Sequence, residues 1–196
     1  MIKIGITGGI ACGKSTATEY LNLKKNVFIF NADRESKSHL KSSSSLQKKL
    51  INVFGKQIVI NKKIQLNLLA EIAFSNTTNH KILNGIMWPE ISLLISQAYE
   101  EAKEKKHKLF IVDAALIFEA NITSFFDKVI LISTTKPNRI KRAINRKNLS
   151  LEDIQNRISL QMLDKEKKKM ADIVINNNGN INNLYKKLDD LYRDLL

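Results

Sequence analysis

The sequence predicts an α/β fold in which helices cover both faces of a five-stranded parallel sheet, a three-layer arrangement. Short apolar segments alternate along the chain with longer segments of helical periodicity, which is the pattern of repeated strand and helix units. The apolar segments are hydrophobic at successive positions, as is typical of strands buried on both faces. Four of the seven glycines fall among the first thirteen residues, where they predict a tight turn between the first strand and the first helix.

The predicted strands are short runs rich in β-branched and aromatic residues. They span residues 2–7, 27–30, 109–112, 128–132 and 172–175. Helical periodicity predicts helices over 14–23, 138–146, 151–169 and 181–195, with several more inside 34–106. The sequence has no internal repeat and no linker rich in proline or glycine, so we predict one domain.

The composition is that of an ordinary globular domain. The chain has 196 residues, of which 43% are hydrophobic and 26% charged. No apolar run approaches the length of a membrane span and the N-terminal segment lacks the features of a secretory signal, so we expect a cytoplasmic protein with no membrane partner. The single cysteine, Cys12, cannot form an internal disulfide, and the three histidines lack the spacing of metal ligands.

The net charge of +13 raises the question of nucleic-acid binding, which requires a localised basic stripe. The positive charge is instead spread along the chain, and 26 of the 32 basic residues are lysines. We therefore expect no nucleic-acid partner. A basic nucleic-acid-binding protein that uses its glycine-rich loop only structurally stays open as an alternative of a different class.

The segment TGGIACGKST, residues 7–16, carries the most specific motif. It matches G-x-x-x-x-G-K-[ST] between a predicted strand and a predicted helix, the arrangement of a phosphate-binding loop. In such a loop the backbone N–H groups and the helix N-terminus bind phosphate oxygens. Lys14 would bind the β- and γ-phosphates, the Ser15 hydroxyl would coordinate Mg²⁺, and Thr16 would reach the α-phosphate.

A phosphate loop indicates nucleotide binding without specifying the reaction, because GTPases, transporters, motors and small-molecule kinases share it. The sequence lacks a guanine-recognition N-K-x-D motif, a D-x-x-G switch after Asp113 and a transporter signature. The chain is also too short for the accessory parts of a motor. These features favour a small-molecule or nucleoside kinase.

Two acidic residues follow predicted strands, at the sheet edge where ligands of open parallel sheets bind. Asp33 is placed where an acceptor hydroxyl would approach the γ-phosphate, so we predict that it acts as a general base. Its alternative role is an N-cap for the next helix. Asp113 is predicted to hold the hydration shell of Mg²⁺, and its alternative is a cap or turn residue.

Three of the six arginines share one face of a predicted helix, because Arg139, Arg142 and Arg146 are spaced by three, four and seven positions. A row of guanidinium groups facing the phosphates would stabilise the transferring charge. The alternative is a solvated helix face.

With these residues identified, the chain resembles the dephospho-CoA kinase family over nearly its whole length. The resemblance rests on the loop, on the triplet NAD from Asn31 to Asp33, and on four further segments: LNGIMWPEI at 83–91, VDAALIFE at 112–119, the arginine row with Arg157, Ile158 and Gln161, and ADIVINNNG at 171–179. It implies ATP-dependent phosphorylation of the 3′-hydroxyl of dephospho-CoA, the last step of coenzyme A synthesis. Another small-molecule or nucleotide kinase with the same core is the alternative.

The resemblance also implies an organisation and a set of site residues. One phosphate-loop kinase domain would span 1–196, with its core at 1–33, 106–137 and 168–196, a helical substrate-binding region at 34–105 and a lid at 138–167. Asp33 would be the base, and Arg142 and Arg146 would be lid arginines acting with Lys14 in catalysis. The residues implied to bind ATP are Ala11, Cys12, Gly13, Lys14, Ser15 and Thr16. We expect a monomer.

The chain departs from the usual pattern of that family in three places. Asn31 replaces the first aspartate of D-A-D, Trp88 replaces the histidine of H-P, and residues 114–117 read AALI where the family has V-P-L-L. Trp88 matters most, because the family's histidine is expected near the substrate. The retention of Lys14, Ser15 and Asp33 favours an active enzyme.

Overall fold

The computed structural model describes residues 1–146 and 150–196, so three residues of the predicted lid, 147–149, lie outside the described residues. Seven strands are present in the described part of the chain. They are β1 (Ile2–Thr7), β2 (Val27–Asn31), β3 (Val59–Ile60), β4 (Lys63–Ile64), β5 (Leu109–Asp113), β6 (Lys128–Ser133) and β7 (Ile173–Asn176). Five of them form one parallel sheet in the order β2-β5-β1-β6-β7. The predicted sheet is therefore confirmed, with strand ends within one residue of those predicted.

The helices surround this sheet. They are α1 (Lys14–Leu21), α2 (Ala32–Ser42), α3 (Ser44–Phe54), α4 (Leu66–Ala73), α5 (Thr77–Glu104), α6 (Lys136–Asn145), α7 (Leu151–Ser159), α8 (Asp164–Met170) and α9 (Ile181–Leu195). In the described ranges, no helix is long and apolar enough to cross a membrane.

The two faces of the sheet pack against different helices because successive side chains of a strand point to opposite faces. On β5, Phe110 and Val112 join a core formed with α2, α3, α4 and α5. Leu109 and Ile111 of the same strand point the other way, into a core formed with α1 and α9. The predicted three-layer α/β arrangement is confirmed.

Strand register brings the predicted polar residues to one edge. In the parallel ladders, Ile6 of β1 lies beside Asp113 of β5, and Asp113 lies beside Asn31 of β2. The carboxyl ends of the three strands therefore meet where the loop after β1 leaves the sheet. Since α2 begins directly after β2, Asp33 lies at the same edge.

The predicted helix over 151–169 is wrong in one respect: it is two helices, α7 and α8, separated by residues 160–163. Groups in this break bond to other parts of the chain instead of continuing the helix. The Met162 N–H donates to Glu119 Oε1 at 2.9 Å, and Gln161 Oε1 accepts from the Ile10 N–H at 3.0 Å. These long-range hydrogen bonds override the local helical periodicity.

The hairpin of β3 and β4 was not predicted from the sequence. Its two turn residues, Asn61 and Lys62, both have positive φ angles, of 50° and 62°. Two-residue hairpin turns of this kind usually carry glycine, which is the signal used to recognise them. Here glycine is missing from the turn, so the sequence pattern gave no indication of it.

Candidate active site

The phosphate loop, residues 8–16, leaves β1 at Thr7 and enters α1 at Lys14. Gly13, just before the helix, has φ +100°, and a Cβ there would lie 2.2 Å from the side-chain nitrogen of Asn177. Both the backbone conformation and the neighbouring side chain therefore require glycine at this position. The structure places the motif as predicted, between the first strand and the first helix.

The carbonyl groups on the outer side of the loop are held by side chains. Cys12 O accepts from Asn177 Nδ2 at 2.9 Å, and Ile10 O accepts from Arg139 Nε at 3.0 Å. Among the described residues, no group accepts a hydrogen bond from the backbone N–H of Ala11 or Gly13. This orientation leaves loop N–H groups to bind an anion at the N-terminus of α1.

Lys14 lies at the centre of a buried polar cluster. Its ammonium group donates to Asp113 Oδ1, and the Asp113 side chain is fully buried. Asp113 Oδ2 accepts two further hydrogen bonds, from Thr18 Oγ1 at 2.8 Å and from Asn31 Nδ2 at 3.2 Å. The cluster compensates the buried carboxylate with a cation and two neutral donors.

Asp33 faces the same cluster from α2. Its Oδ2 lies 3.9 Å from Lys14 Nζ, and 64% of its side chain is exposed. The N-cap of α2 is Asn31, whose Oδ1 accepts from the Arg34 N–H at 2.9 Å. The capping role considered as the alternative for Asp33 therefore belongs to Asn31, which leaves the Asp33 carboxylate available beside Lys14.

A cleft of about 700 Å³ opens next to the loop. One wall is the loop itself, from Gly8 to Ser15; among the described residues, Thr16 does not line it. The opposite wall comes from α2, α4 and α5 and is largely apolar, formed by Leu40, Leu66, Leu69, Ala70, Phe74, Leu83, Met87, Trp88 and Ile91. Asp33 lies at the junction of the two walls.

The cleft is also lined by cationic side chains. They are Lys14 from the loop, Lys37 from α2, Arg146 after α6 and Arg157 from α7. The Arg157 guanidinium carbon lies 4.6 Å from the centre of the Phe74 ring, a cation–π contact. Partial burial lowers the pKa of Arg157, and the Asp153 charge only partly offsets this. The cleft is suited to an anionic ligand with apolar portions.

The arginine row of α6 divides into three environments. Arg146 is exposed and lines the cleft. Arg142 Nη1 donates to Cys12 O at 3.4 Å, and its Nη2 donates to Asn177 O at 3.0 Å. Arg139 is buried against Ile10 and does not line the cleft in the described structure. A shared helical face therefore did not give the three guanidinium groups a shared environment.

The burial of Cys12 and His80 changes their acid–base behaviour. Desolvation raises the pKa of the Cys12 thiol, which disfavours the reactive thiolate. Desolvation lowers the pKa of His80, with the Glu119 charge opposing the shift. Cys12 is therefore suited to filling space in the loop, and His80 to lining the cleft as a neutral ring.

Several residues of the site had been given no role from the sequence. Thr18 lies one helical turn after Lys14, so helical spacing could have paired it with Asp113. Arg157, Gln161 and Asn177 all lie in segments that carried the family resemblance. His80 carried no signal beyond its position in a helical pattern.

The fold and this loop define the class: an α/β nucleotide-binding protein with a phosphate loop at the end of its first strand. Comparison with known proteins identifies the family within this class. The family model described as dephospho-CoA kinase matches residues 2–183. A dephospho-CoA kinase of Fusobacterium nucleatum is 37% identical, with the match covering 95% of this chain and 94% of the relative. A dephospho-CoA kinase of Chlamydia caviae is 32% identical, and the match covers 98% of this chain and 95% of the relative.

Solved structures agree. A crystal structure of a Thermus thermophilus protein superposes with a TM-score of 0.82 at 26% identity, over 100% of this chain and 98% of that one. A dephospho-CoA kinase from Campylobacter jejuni gives a TM-score of 0.69 at 31% identity, and the match covers 98% of this chain and 96% of that one. The chain belongs to the dephospho-CoA kinase family. It is accordingly a phosphotransferase of coenzyme A biosynthesis, with ATP as the phosphoryl donor.

Proposed function

We propose that the chain transfers the γ-phosphoryl group of ATP to the 3′-hydroxyl of dephospho-CoA in the cleft described above, with Asp33 as the general base. The observation that carries this proposal is the 3.9 Å separation between Asp33 Oδ2 and Lys14 Nζ. A phosphate-binding cation and an exposed carboxylate thus lie side by side where the loop meets the opposite wall of the cleft, formed by α2, α4 and α5, which we call the acceptor wall. A hydroxyl that approaches the γ-phosphate along the acceptor wall would meet Asp33 first.

The nucleotide side of the proposal rests on the loop. Residues Ala11 to Thr16 would bind the ATP phosphates through backbone N–H groups and the N-terminus of α1. Lys14 would exchange its hydrogen bond with Asp113 for one with the β- or γ-phosphate. Arg142 and Arg146 are proposed to act with Lys14 on the transferring charge. Arg146 has the more direct access to the cleft.

The residues near Lys14 fit a magnesium ion. The Ser15 hydroxyl is exposed at the loop, and Asp113 supplies a carboxylate at the end of β5. Both are hard oxygen donors, the type that Mg²⁺ binds together with waters and substrate phosphates. We propose that Ser15 binds the ion directly and Asp113 through water. The ion would neutralise negative charge on the phosphates.

The acceptor side of the proposal rests on the wall formed by residues 34–105. Dephospho-CoA combines an adenosine and a pyrophosphate with a long pantetheine chain, so its site must be partly cationic and partly apolar. The apolar wall of α4 and α5 and the cations Lys37 and Arg157 supply both characters. We propose that 34–105 is the substrate-binding region and 138–167 the lid, with the remaining segments as the core.

Three further statements are predictions of the same proposal. We expect the protein to work in the cytoplasm and as a monomer, because coenzyme A synthesis uses soluble substrates and the cleft is formed within one chain. We expect no functional nucleic-acid binding, since the positive charge is spread along the sequence. Association with DNA that weakens steeply with salt, together with no kinase turnover, would favour the basic-binder alternative.

The test is an ATP-consumption assay over a panel of acceptors: dephospho-CoA, nucleoside monophosphates and shikimate. We expect turnover with dephospho-CoA and a product phosphorylated at the ribose 3′ position, identified by phosphorus NMR. The Arg193→Lys variant changes an exposed arginine at the end of α9 and serves as the control for nonspecific effects of substitution and purification. Faster turnover of another acceptor would support the alternative small-molecule kinase.

A further inference from the structure

One residue of the phosphate loop is held at both of its backbone polar groups by side chains from the proposed lid. The Ile10 N–H donates to Gln161 Oε1 at 3.0 Å, and Ile10 O accepts from Arg139 Nε at 3.0 Å. The two side chains also bond to each other, because Arg139 Nη2 donates to Gln161 Oε1 at 3.0 Å. Ile10 is therefore fixed in orientation by segments more than 120 residues away along the chain.

The Arg139 guanidinium is held in place by other groups of the protein. Its Nη1 donates to Asp164 Oδ1 at 3.2 Å, so all three nitrogens are engaged. The residue is only 5% exposed. Its charge is balanced by the Asp164 carboxylate of α8. Its planar guanidinium group connects Ile10 of the loop with Gln161 in the break between α7 and α8.

The loop makes room for this guanidinium with a glycine. A Cβ on Gly9 would lie 2.3 Å from both Cζ and Nη2 of Arg139, closer than atoms can approach. Three acceptors hold the guanidinium in place, so it could not move aside without losing hydrogen bonds. Gly9 is thus required by the contact with Arg139, in addition to any requirement from a bound phosphate.

An apolar contact supports the same junction. Ala11, with φ 58° in the left-handed region, packs in a small core with Ala143 of α6 and Ile154 of α7. A left-handed conformation is unfavourable for alanine and persists only where surrounding contacts hold it. Polar and apolar contacts from the proposed lid therefore hold two consecutive loop residues, Ile10 and Ala11.

We propose that Arg139 is a positioning residue for ATP: together with Gln161 it sets the conformation of the phosphate loop and contacts no phosphate. This inference rests on the proposed function, because its ligand is ATP. It assigns Arg139 a role different from that of a phosphate-binding arginine row. The loop presents its N–H groups to phosphate because Arg139 draws the Ile10 carbonyl outward.

The test compares direct binding of ATP and of dephospho-CoA to Arg139→Lys by calorimetry. Lysine keeps the charge, but its donors sit on one nitrogen and cannot reproduce the planar guanidinium geometry that reaches Ile10, Gln161 and Asp164 from three nitrogens, so we expect ATP affinity to fall about tenfold or more. Dephospho-CoA affinity should stay within about twofold, since Arg139 lies outside the cleft. Arg193→Lys, an exposed arginine of α9, is the matched control.

A lower melting temperature with unchanged ATP affinity would overturn the proposal and leave Arg139 a purely stabilising residue. If Arg139→Lys does not fold, Asp164→Asn replaces it, because Asp164 accepts a hydrogen bond from Arg139 Nη1 and, in the described part of the chain, makes no direct hydrogen bond to the loop. Loss of that partly exposed ion pair should lower ATP affinity by about two- to fivefold. Unchanged ATP affinity in Asp164→Asn would overturn the proposal as well.

A second experiment tests the close contact between Gly9 and the Arg139 guanidinium. Gly9→Ala should weaken ATP binding in the parent and weaken it less in an Arg139→Gln background, where the shorter side chain leaves room for the methyl group. Gly85→Ala on α5, where no atom lies within 4 Å of the added Cβ, is the control. Equal and independent effects of Gly9→Ala in both backgrounds would contradict the contact.

These outcomes are separate from those of the proposed function. ATP binding is measured without turnover, so the positioning role can hold even if another acceptor is phosphorylated. Conversely, turnover of dephospho-CoA by the parent would support the proposed function whatever the Arg139 variants do.

Discussion

The Lys14 ammonium group donates a hydrogen bond to the buried carboxylate of Asp113, joining the start of α1 to the end of β5. Lys14 and Asp113 are 8% and 0% exposed, so each compensates the other's charge away from water. Lys14, which is expected to bind phosphate, therefore also stabilises the fold. Its substitution should lower stability as well as activity.

We expect Lys14→Met to lose turnover and also to lower the free energy of unfolding, by about 3–5 kcal/mol, because Asp113 is left as a buried charge without its cation. Urea denaturation and the ATP-consumption assay measure the two effects. Lys14→Met/Asp113→Asn should recover most of the stability and none of the activity. Full activity in either folded variant would contradict the role of Lys14.

Asp33→Asn is expected to lower kcat by about 10²–10⁴ with a smaller change in ATP affinity, because the base is lost while shape is kept. Asn31 is the cap of α2, so the melting temperature should stay close to that of the parent. Steady-state kinetics with dephospho-CoA and a thermal melt provide the measurements. A folded variant with more than about half of the parent kcat would remove Asp33 from the mechanism.

Arg142 and Arg146 should respond differently to substitution by lysine. Arg146→Lys is expected to lower kcat by about tenfold, the cost of roughly one charge-assisted hydrogen bond to the transferring phosphate. Arg142→Lys should lower kcat and also raise the KM for ATP, because Arg142 is proposed to act on the transferring charge and also bonds the Cys12 and Asn177 carbonyls. Lys141→Arg, an exposed neighbour on α6, is the control. Parent kinetics in both variants would remove both arginines from catalysis.

Trp88→His introduces the histidine that the family resemblance leads us to expect, and this change should leave kcat/KM for dephospho-CoA equal or higher. Trp88 lines the cleft on α5 next to Pro89, so an imidazole there would face the acceptor. Trp88→Phe keeps an aromatic ring without the imidazole and separates packing from chemistry. Much lower activity in folded Trp88→His alone would show that the acceptor wall has adapted to the indole.

The buried His80 predicts a dependence of stability on pH. Its pKa is lowered from the ordinary 6.5 by burial, so the unfolded chain binds a proton at a pH where the folded chain does not. This contribution to stability is present above pH 6.5 and is lost as the pH falls below it. The groups facing His80 are Phe74, Asn84 and, at longer range, Glu119.

We expect the melting temperature to fall less between pH 7.5 and about 5.5 in His80→Gln than in the parent, since glutamine cannot take up the proton. His107→Gln, outside the cleft, is the comparison. An identical pH dependence in the parent and in His80→Gln would show that other groups cause the loss.

Much of this architecture could be predicted because the signals were local. The five apolar strands and the glycine motif depend on neighbouring residues, and β1, the loop and α1 lie where the sequence placed them. Asp33 and Asp113 meet at one sheet edge because parallel strands align their carboxyl ends.

The remaining features depend on contacts that helical spacing cannot encode. Helical spacing predicts that Arg139, Arg142 and Arg146 share a face, but it does not predict how deeply each side chain is buried. It therefore could not distinguish the buried Arg139 from the exposed Arg146. The break between α7 and α8 follows from the bonds of Gln161 and Met162 to Ile10 and Glu119. Local periodicity is the same whether or not such partners exist.

The two faces of the sheet pack into separate cores, and this separation affects how the enzyme could change. Phe110 and Val112 pack with the helices of the acceptor wall, whereas Leu109 and Ile111 pack with α1 and α9 beneath the nucleotide loop. Substitutions in separate cores have nearly additive effects on stability, because they share no partners. The acceptor wall can therefore take substitutions, at Trp88 for example, while the packing that supports Lys14 stays intact, so acceptor preference can change without loss of ATP binding.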